Sequence, residues 1–475
     1  MRQIDSEQLH ERIRAENPWW AGQGIRDELD LLTPRAYFDL LFPLITELSV
    51  RRAIVLMGPR RVGKTVLIHH AIRALLDQGV PPRQIAYISV DHPLYNGLGL
   101  EALIDLYRKA ADADLDQIAY VFFDEVQYLK EWEVHLKALV DREPSFRLVV
   151  SGSAAAALSL KSQESGAGRF TDFLLPPLTF YEYLELLGER GLLTETEVAG
   201  RPLFQAEDLP RLNDHFLHYL NYGGYPEVVF SEAIQANPSR FIKGDIIDKV
   251  LLRDLPSLYG ISDVQELNKL FTTLAFNTAG ELSLQDLSTS SGVAKNTIKR
   301  YIEYLGAAFL IKVVHRIDES ARRFRRARQF KIYLTNPSMR AALFAPVKPD
   351  APELGPLAET AVFSQYFHDE DAQLFYGRWK KGEVDMVRLN AAQVPVWAVE
   401  VKWSDRYPSR LEELGSLVAF CRANGLTQAW VTSRTIRSTV IEGGVSLNFI
   451  PMSELCFMVS HNIIHGKRVA GGELL

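Results

Sequence analysis

The residues GPRRVGKT at positions 58–65 have the spacing of a loop that binds the phosphates of a nucleotide. Gly58 and Gly63 allow the backbone to curl so that its N–H groups point at phosphate oxygens. Lys64 is then expected to reach the β- and γ-phosphates, and the hydroxyl of Thr65 to bind Mg²⁺. A glycine-rich turn without a ligand is the alternative, which the complete pattern disfavours. The candidate nucleotide-binding residues of the loop are Gly58, Pro59, Arg60, Arg61, Val62, Gly63, Lys64, Thr65 and Val66.

The segment YVFFDE at 120–125 places two acids at the end of an apolar run. Asp124 is a candidate ligand of the same Mg²⁺, and Glu125 a candidate to orient and deprotonate the attacking water. Taken alone, the segment is explained equally well by a strand that simply ends in two acids. Together with the loop, it predicts a Mg²⁺-dependent ATP hydrolysis site in which Lys64 and Glu125 are catalytic.

Two further groups are candidates to contact the γ-phosphate. The run LVVSGS at 148–153 ends in hydroxyls, so Ser151 or Ser153 could sense that phosphate, although serines at strand ends are commonly turn formers. Arg169, in GAGRF, could stabilise transition-state charge in its own chain or in a neighbouring copy. A surface arginine after a glycine-rich loop is an equally good interpretation of Arg169.

A second constellation lies in the stretch GEVDMVRLNAAQVPVWAVEVKW at 382–403. Glu400 and Lys402 are two apart and therefore share one face of a strand. A hairpin would bring Asp385 towards Glu400, and Glu359 on a helical segment could supply a further oxygen. Such carboxylates suit Mg²⁺ or Mn²⁺, which would activate a water with help from Lys402. These residues predict a metal-dependent nuclease site, and a surface salt bridge is the ordinary alternative.

The segment 282–314 is typical of a helix-turn-helix, with a tight turn at Gly292. On its second helix the apolar residues recur at spacings of four, three and four, which predicts one buried stripe. The members of that stripe are Ile298, Ile302, Leu305 and Phe309. The residues that fall away from the stripe are candidates to contact nucleic acid, namely Lys295, Asn296, Lys299 and Arg300. Exposed lysines on a helix that only packs domains together remain the alternative.

These residues must be positioned by an α/β fold. Apolar runs at 53–58, 85–91, 119–125 and 147–153 are apolar on both faces, as in strands buried in a parallel sheet, and helical patterns separate them. With 475 residues the chain is too long for one hydrophobic core. Several domains are therefore expected.

Composition excludes some classes of protein. The net charge of −6 does not indicate a nucleic-acid binder, so any such role depends on local patches such as the basic run RRFRRAR at 322–328. Two cysteines, Cys421 and Cys456, fit neither a disulfide framework nor a zinc cluster. No apolar run approaches the ~20 residues that span a bilayer. A soluble cytoplasmic protein without membrane contact is expected.

The chain resembles the prokaryotic predicted AAA+-type, archaeal-ATPase-like family of P-loop ATPases, which carries a C-terminal domain of unknown function. The resemblance rests on segments in the same order along nearly the whole chain, namely NPWW, GPRRVGKT, FFDEVQYL, VVSGSA, GRF, PLTFYEYL, YGGYPEVV, DIIDKVLLRDL, KIYLTNPSM, LAETAVFSQYF, FYGRWKKGEVDMV and AVEVKW. It implies a PD-(D/E)XK-like arrangement of Asp385, Glu400 and Lys402, with Val384 in place of the motif's proline. It leaves the phosphate-sensing residue open, because many relatives have Thr-Gly-Ser where this chain has SGS.

The resemblance also implies a domain order within the α/β multidomain fold. The predicted domains are an N-terminal helical segment (1–50), a P-loop AAA+-like ATPase core with a parallel sheet (51–177), a helical lid or coupling region (178–260), a winged helix-turn-helix (261–327) and a restriction-endonuclease-like α/β domain (328–475). Within the coupling region, the glycines of 222–226 are predicted to act as flexible positions.

Two functions remain open. The first is an ATP-dependent enzyme directed to DNA, in which the nucleotide controls binding or cleavage. The second is a signalling switch whose nuclease-like domain is a non-catalytic module that recruits a protein partner. The expected ligands are ATP and Mg²⁺, with Mn²⁺ as a further candidate at the nuclease-like site. Assembly with further copies of the chain is compatible with both functions.

Overall fold

The computed structural model describes residues 6–112, 117–152, 168–198, 201–321, 329–367, 369 and 373–466, with the backbone alone at 197, 198, 201 and 202. Ser153 and the basic run 322–328 lie outside the described residues. The chain divides into two compact units, Met1–Leu175 and Pro176–Leu475. None of the helices in the described ranges is long and apolar enough to cross a membrane.

The first unit is built on a five-stranded parallel sheet. Its strands are β1 (Ala53–Met57), β2 (Ile85–Ser89), β3 (Ala119–Asp124), β4 (Phe146–Gly152) and β5 (Phe170–Leu174). Their order in the sheet is β2-β3-β4-β1-β5. Because β4 lies between β1 and β3, the carboxyl ends of these three strands meet at one edge of the sheet. The predicted strands that carry the nucleotide motifs are confirmed, and β1, β3 and β4 are fully buried.

Helices flank this sheet. They are α1 (Ser6–Glu16), α2 (Asp27–Asp30), α3 (Phe38–Thr46), α4 (Lys64–Asp77), α5 (Leu100–Ala111) and α6 (Trp132–Arg142). Single 3₁₀ turns occur at Pro18–Ala21, Pro82–Gln84, Pro93–Tyr95 and Val126–Tyr128. The segment 1–50 contributes α1, α2 and α3 to this unit.

The edge strand β2 is covered by the residues that follow α1. The side-chain amide of Asn17 donates to the backbone oxygen of Tyr87 at 2.8 Å and accepts from its backbone nitrogen at 2.6 Å. The indole nitrogens of Trp19 and Trp20 both donate to the backbone oxygen of Ile85, at 2.9 and 2.7 Å. The NPWW segment therefore pairs with strand edge groups as a neighbouring strand would.

The second unit contains a nine-stranded mixed sheet. Its strands are β8 (Glu281–Ser283), β9 (Ile311–Ile317), β10 (Gln329–Leu334), β11 (Gln373–Trp379), β12 (Gly382–Leu389), β13 (Pro395–Glu400), β14 (Gln428–Ser433), β15 (Ser438–Glu442) and β16 (Val445–Pro451). Their order is β15-β16-β14-β13-β12-β11-β9-β10-β8. The predicted hairpin of 382–403 is present, because β12 and β13 pair antiparallel with Met386 opposite Val399.

Helices and one separate hairpin complete the second unit. The helices are α7 (Phe180–Leu186), α8 (Leu209–Tyr222), α9 (Pro226–Val229), α10 (Glu232–Gln235), α11 (Leu255–Tyr259), α12 (Val264–Phe276), α13 (Leu284–Ser291), α14 (Lys295–Ala307), α15 (Ser338–Leu343), α16 (Leu354–Gln365), α17 (Gly415–Ala423) and α18 (Met452–Ile464). Ser239–Asp248 and Val250–Asp254 are π-helical, and 3₁₀ turns occur at Arg190–Leu192, Tyr407–Ser409 and Leu411–Leu414. The hairpin of β6 (Leu193–Val198) and β7 (Arg201–Ala206) was missed by the prediction of a mostly helical region over 178–260.

One sheet runs through both of the segments predicted as a winged helix-turn-helix and a nuclease-like domain. The predicted boundary between 327 and 328 falls between β9 and β10. These two strands pair antiparallel, with Ile311 opposite Leu334 and His315 opposite Phe330. β9 in turn pairs in parallel with β11. The helices α12, α13 and α14 thus adjoin the same sheet that carries Asp385 and Glu400.

Candidate functional site

The loop 58–63 connects the carboxyl end of β1 to the first residue of α4, which is Lys64. A Cβ atom at Gly58 would lie 2.2 Å from the backbone oxygen of Leu175, so only glycine fits there. Gly63 has φ 95° and Arg61 has φ 63°, both in the left-handed region. The loop is therefore curled tightly around the amino end of α4, where backbone N–H groups and the helix dipole favour an anion.

Lys64 is buried inside this loop. Its ammonium donates to the backbone oxygens of Gly58 at 3.0 Å and Pro59 at 2.7 Å. Burial lowers the pKa of Lys64, and the nearby carboxylates of Glu125 and Asp124 oppose that shift. The ammonium is thus held at the centre of the loop, where it can meet the charge of a bound phosphate group.

Asp124 is the centre of a hydrogen-bond network at the strand ends. Its Oδ2 accepts from Thr65 Oγ1 at 2.7 Å and from the Tyr87 hydroxyl at 2.9 Å. Its Oδ1 accepts from the hydroxyl of Ser151 and from the backbone nitrogen of Glu125, the latter at 3.1 Å. The structure therefore brings together Thr65, Asp124 and Ser151, which the sequence analysis proposed for one site.

Glu125 follows Asp124 in a left-handed backbone conformation with φ 60° and ψ 40°. Burial raises the pKa of its carboxyl, and the Lys64 ammonium counteracts this shift. The side-chain amide of Gln127 donates to Oε2 of Glu125. A left-handed conformation is uncommon for a residue with a side chain, and residues of this kind cluster at functional sites.

Sequence reasoning missed two residues that support the loop and Asp124. Arg35 is only 6% exposed, and its guanidinium donates to the backbone oxygen of Val62 at 2.9 Å. Tyr87 reaches Asp124 from the edge strand β2. Neither position has a local motif, because each contact depends on the order of strands and on the path of the N-terminal segment.

Arg169 lies away from this network within the chain. It precedes β5, and its backbone oxygen accepts from Ala53 at the amino end of β1, whereas the loop follows the carboxyl end of β1. Its side chain pairs with Asp141 at 3.1 Å. The structure therefore does not bring Arg169 together with Lys64 or Asp124 in one copy.

The residues of this first site fit ATP with Mg²⁺. The loop supplies N–H donors and the Lys64 ammonium for phosphates, and the 2.7 Å contact between Thr65 Oγ1 and Asp124 Oδ2 places two hard oxygen ligands side by side. Ser151, fully buried, supports Asp124 rather than projecting into the loop.

A second polar cluster lies on one face of the nine-stranded sheet and is called here the acid–lysine cluster. Its members are Lys331 on β10, Glu359 on α16, Glu383 and Asp385 on β12, Glu400 at the end of β13, and Lys402. The Lys402 ammonium lies 3.1 Å from Asp385 Oδ2 and 2.8 Å from Glu400 Oε1. The predicted association of Asp385, Glu400 and Lys402 is thus present in the structure.

Lys331 was not recognised from the sequence. Its ammonium lies 3.0 Å from Glu359 Oε1, 3.1 Å from Glu383 Oε1 and 3.9 Å from Asp385 Oδ1. The hydroxyl of Tyr333, two residues along β10, also donates to Glu359 Oε1 at 2.6 Å. The strand QFKIYL did contain a signal for this role. Lys331 and Tyr333 are two residues apart in an otherwise apolar strand, so their polar side chains share one face.

Burial dominates the electrostatics of this cluster. It raises the pKa of Glu400 to about 8, an effect that the Asp385 carboxylate increases and the Lys402 ammonium opposes. Burial likewise raises the pKa of Glu359, against the effect of Lys331. Glu400 Oε2 is buried and makes no hydrogen bond.

The cluster does not fit a divalent metal in this arrangement. The oxygens of the predicted ligands Glu359, Asp385 and Glu400 already face the ammonium groups of Lys331 and Lys402. Over the part of the chain that the structure describes, no group of three or more His, Cys, Asp or Glu side chains is placed to hold a metal ion. The carboxyl groups are instead paired with lysines.

The predicted nucleic-acid residues lie on the exposed face of α14. Lys295, Asn296, Lys299 and Arg300 are all exposed. Ile298, Ile302 and Leu305 are buried as predicted, whereas Phe309 lies beyond the helix end at Ala307, is only partly buried and has φ 56°. The prediction that Phe309 continues the helical stripe is therefore wrong.

A groove of about 1230 Å³ separates α14 from the β9–β10 strands. Lys295 and Lys299 line its helix side, and Lys312 and His315 line its strand side. The strands β9 and β10 on the far side of the groove pair antiparallel. Basic side chains thus face the groove from both sides, and the carboxylate of Glu303 also lines it, 3.8 Å from the Lys299 ammonium.

The glycines of YGGYP are close-packed. A Cβ at Gly223 would lie 2.7 Å from the Cα of Tyr219, and one at Gly224 would lie 2.4 Å from Asn336 Oδ1. Neither glycine has a positive φ, so the packing here requires the absence of a side chain and not the backbone freedom of glycine. The flexibility of this segment stays a prediction.

Residues 50–184 match the family model described as an AAA domain, and residues 213–350 match that of a domain of unknown function, DUF8612. An uncharacterised protein of Haemophilus influenzae is 26% identical over 273 residues, and one of Methanocaldococcus jannaschii is 23% identical over 296 residues. These matches cover 56% and 59% of this chain, and they span 62% and 60% of the relatives' own length.

Two solved structures of Aeropyrum pernix are also similar. The ORC2 protein, solved as ADPNP-ADP complexes, has a TM-score of 0.39 and 13% identity, over 67% of this chain and 96% of that chain. The ORC1 protein in complex with DNA has a TM-score of 0.33 and 13% identity, over 67% and 94%. Residues 50–184 thus match the AAA domain model and have the parallel α/β sheet of a P-loop fold.

Proposed function

We propose that the protein binds ATP with Mg²⁺ at the loop 58–66 and hydrolyses it. The observation that carries this proposal is the network in which Asp124 joins Thr65, Ser151 and the backbone of Glu125 beside the buried ammonium of Lys64. Positioning and electrostatic stabilisation are what phosphoryl transfer requires of a protein, and this network supplies both.

Each residue then has a defined task. The loop N–H groups and Lys64 bind and orient the phosphates, and Thr65 and Asp124 would hold the Mg²⁺, which when bound neutralises phosphate charge. Glu125 accepts the proton of the attacking water, for which its carboxyl must be deprotonated. Tyr87 and Ser151 keep the Asp124 carboxylate in one orientation.

Two substitutions test this assignment. Lys64→Ala is expected to lose nucleotide affinity, because the phosphates lose their point charge, and Glu125→Gln to keep binding while it loses turnover. Binding is measured with a fluorescent ATP analogue and turnover by phosphate release. Matched controls are Lys109→Ala and Glu11→Gln, both at exposed positions. Normal turnover in Lys64→Ala would remove the assignment.

The ATPase is directed to DNA through α14. Four exposed polar residues on one helical face and a groove with basic side chains on both sides support this proposal. The test is ATP turnover with and without double-stranded DNA of mixed sequence. Stimulation by DNA supports it, whereas an unchanged rate with DNA and RNA favours a switch that responds to a protein partner.

The acid–lysine cluster has a non-catalytic role. The C-terminal region has a nuclease-like fold but serves as a binding module. The ammonium groups of Lys331 and Lys402 between the carboxylates support this proposal. The test is incubation of DNA or RNA with Mg²⁺ or Mn²⁺ in each nucleotide state. Cleavage that disappears in Asp385→Ala and Lys402→Ala would overturn it.

A further inference from the structure

Lys331 is enclosed by three carboxylates. Its side chain is 5% exposed, and Glu359, Glu383 and Asp385 each place an oxygen within 3.9 Å of its ammonium. The ring of Tyr376 lies 5.4 Å from the same ammonium. A lysine so deeply buried, with anionic oxygens and an aromatic face around it, is fixed in place rather than free to leave for solvent.

The same oxygens are the ligands that a divalent metal would need. Three carboxylates contributed by one helix and one strand are a hard-oxygen donor set of the kind that Mg²⁺ or Mn²⁺ takes. Glu359 Oε1 already accepts from both Lys331 and Tyr333, at 3.0 and 2.6 Å. Asp385 Oδ2 already accepts from the backbone of Val401 at 2.9 Å and from Lys402.

We infer that Lys331 is the resident cation of the acid–lysine cluster. Its tethered ammonium occupies the position that a divalent metal would require, so the native cluster binds neither Mg²⁺ nor Mn²⁺. Removal of the ammonium takes away the cation that Glu359, Glu383 and Asp385 share, and would let their side chains close around a divalent metal. The inference concerns the same cluster as the proposed non-catalytic role, but its test measures metal binding and is therefore distinct from tests of cleavage and of ATP hydrolysis.

The test is a Mn²⁺ titration of the full chain without nucleotide. Calorimetry measures the Mn²⁺ affinity, and thermal melting measures the stability. All proteins carry Thr65→Ala, so that the phosphate-binding loop does not contribute a metal signal. In this background Lys331→Met is expected to bind Mn²⁺ at least about tenfold more tightly than the parent, because Glu359, Glu383 and Asp385 lose the cation that they share. Arg378 still pairs with Glu383 and Lys402 with Asp385 in this variant. Its melting temperature should rise with added Mn²⁺, since a ligand that binds only the folded state stabilises it.

Two controls separate the role of this ammonium from the loss of any lysine. Lys331→Arg keeps the charge in place and should respond to Mn²⁺ as weakly as the parent. Lys381→Met removes the same charge at an exposed position and should also leave the response unchanged. Folding of Lys331→Met only in the presence of Mn²⁺ would equally support the inference, because the metal then replaces the ammonium.

Two results would overturn the inference. One is Mn²⁺ binding by the Thr65→Ala parent that is lost on adding Asp385→Asn, which would place a metal in the native cluster. The other is a folded Lys331→Met protein with no gain in Mn²⁺ affinity. If Lys331→Met does not fold under any condition, the inference is tested by comparing Mn²⁺ binding of the Thr65→Ala parent with that of its Asp385→Asn derivative. Metal-free cleavage of DNA by the wild type would remove the non-catalytic role yet leave this inference standing.

Discussion

The hydroxyl of Tyr87 donates a 2.9 Å hydrogen bond to Oδ2 of Asp124, the oxygen that also accepts from Thr65 at 2.7 Å. The backbone oxygen and the backbone nitrogen of the same tyrosine are both hydrogen-bonded to the side-chain amide of Asn17. One residue of the edge strand therefore links the N-terminal segment to the candidate Mg²⁺ ligand. Tyr87 is a positioning residue, since it acts on the site through Asp124.

Tyr87→Phe removes this hydrogen bond while it keeps the ring. We expect a loss of about 1.5–3 kcal/mol in the free energy of unfolding, as for hydrogen bonds to charged groups, and a higher Mg²⁺ concentration for half-maximal ATP turnover. Tyr107→Phe is the matched control, because its hydroxyl donates at 2.7 Å to the backbone of Arg83, away from the site. Equal Mg²⁺ requirements in the two variants would show that Tyr87 does not position Asp124.

Charge reversal on α14 tests the DNA surface. The triple substitution Lys295→Glu, Lys299→Glu and Arg300→Glu should abolish binding to double-stranded DNA in a fluorescence anisotropy titration. The wild-type affinity should fall steeply with salt, with a slope of about −0.9 per phosphate contacted on a logarithmic plot.

The control for this surface is a triple reversal of the same charge elsewhere in the second unit, at Lys380, Lys381 and Arg422, all exposed. It should leave DNA affinity near the wild-type value. Similar losses in both triple variants would mean that overall charge, and not the face of α14, governs the interaction.

The acid–lysine cluster predicts a pH dependence of stability. Burial raises the pKa of Glu400 from 4.5 to about 8 in the folded chain, so the folded state holds this proton more tightly than the unfolded state does. The free energy of unfolding should therefore fall as pH rises from 4.5 towards 8, by at most about 1.4 kcal/mol per pH unit, and level off above.

Glu400→Gln should remove that contribution. Urea unfolding between pH 5 and pH 9 should show a flatter profile in Glu400→Gln than in the wild type, whereas the exposed control Glu412→Gln should keep the wild-type slope. An unchanged slope in Glu400→Gln would assign the pH dependence to other groups.

The close packing of Gly224 predicts intolerance of alanine. In Gly224→Ala the new methyl group would lie 2.4 Å from Asn336 Oδ1 and 2.6 Å from Ser338 Oγ, so the loop must shift at a cost of about 1–3 kcal/mol. Gly355→Ala is the matched control, because no atom lies within 4 Å of its added Cβ. Urea unfolding of both variants measures the difference, and equal stability would mean that the loop yields without strain.

The sequence was sufficient for features whose residues lie close together or follow a simple period. Three features belong to this class: the loop around Lys64, the acids that end β3, and the hairpin that brings Asp385 close to Glu400. Arg35, Tyr87 and Lys331 do not, because their contacts join residues 27, 37 and 28 positions apart through strand order or through packing of a helix on a sheet. Periodicity can place such a residue on one face of its element, but it does not identify the neighbours that the residue meets there.

The covering of β2 by Asn17, Trp19 and Trp20 has a consequence for dissecting the protein. The matched AAA region begins at residue 50, after all three of these side chains. A fragment cut at that point would expose the backbone groups of Ile85 and Tyr87 along an unpaired strand edge, and such an edge can pair with strands of other molecules. The excised fragment should therefore aggregate, whereas a fragment that starts at residue 6 should remain monodisperse. The segment that can fold on its own thus begins before residue 50, where the family match starts.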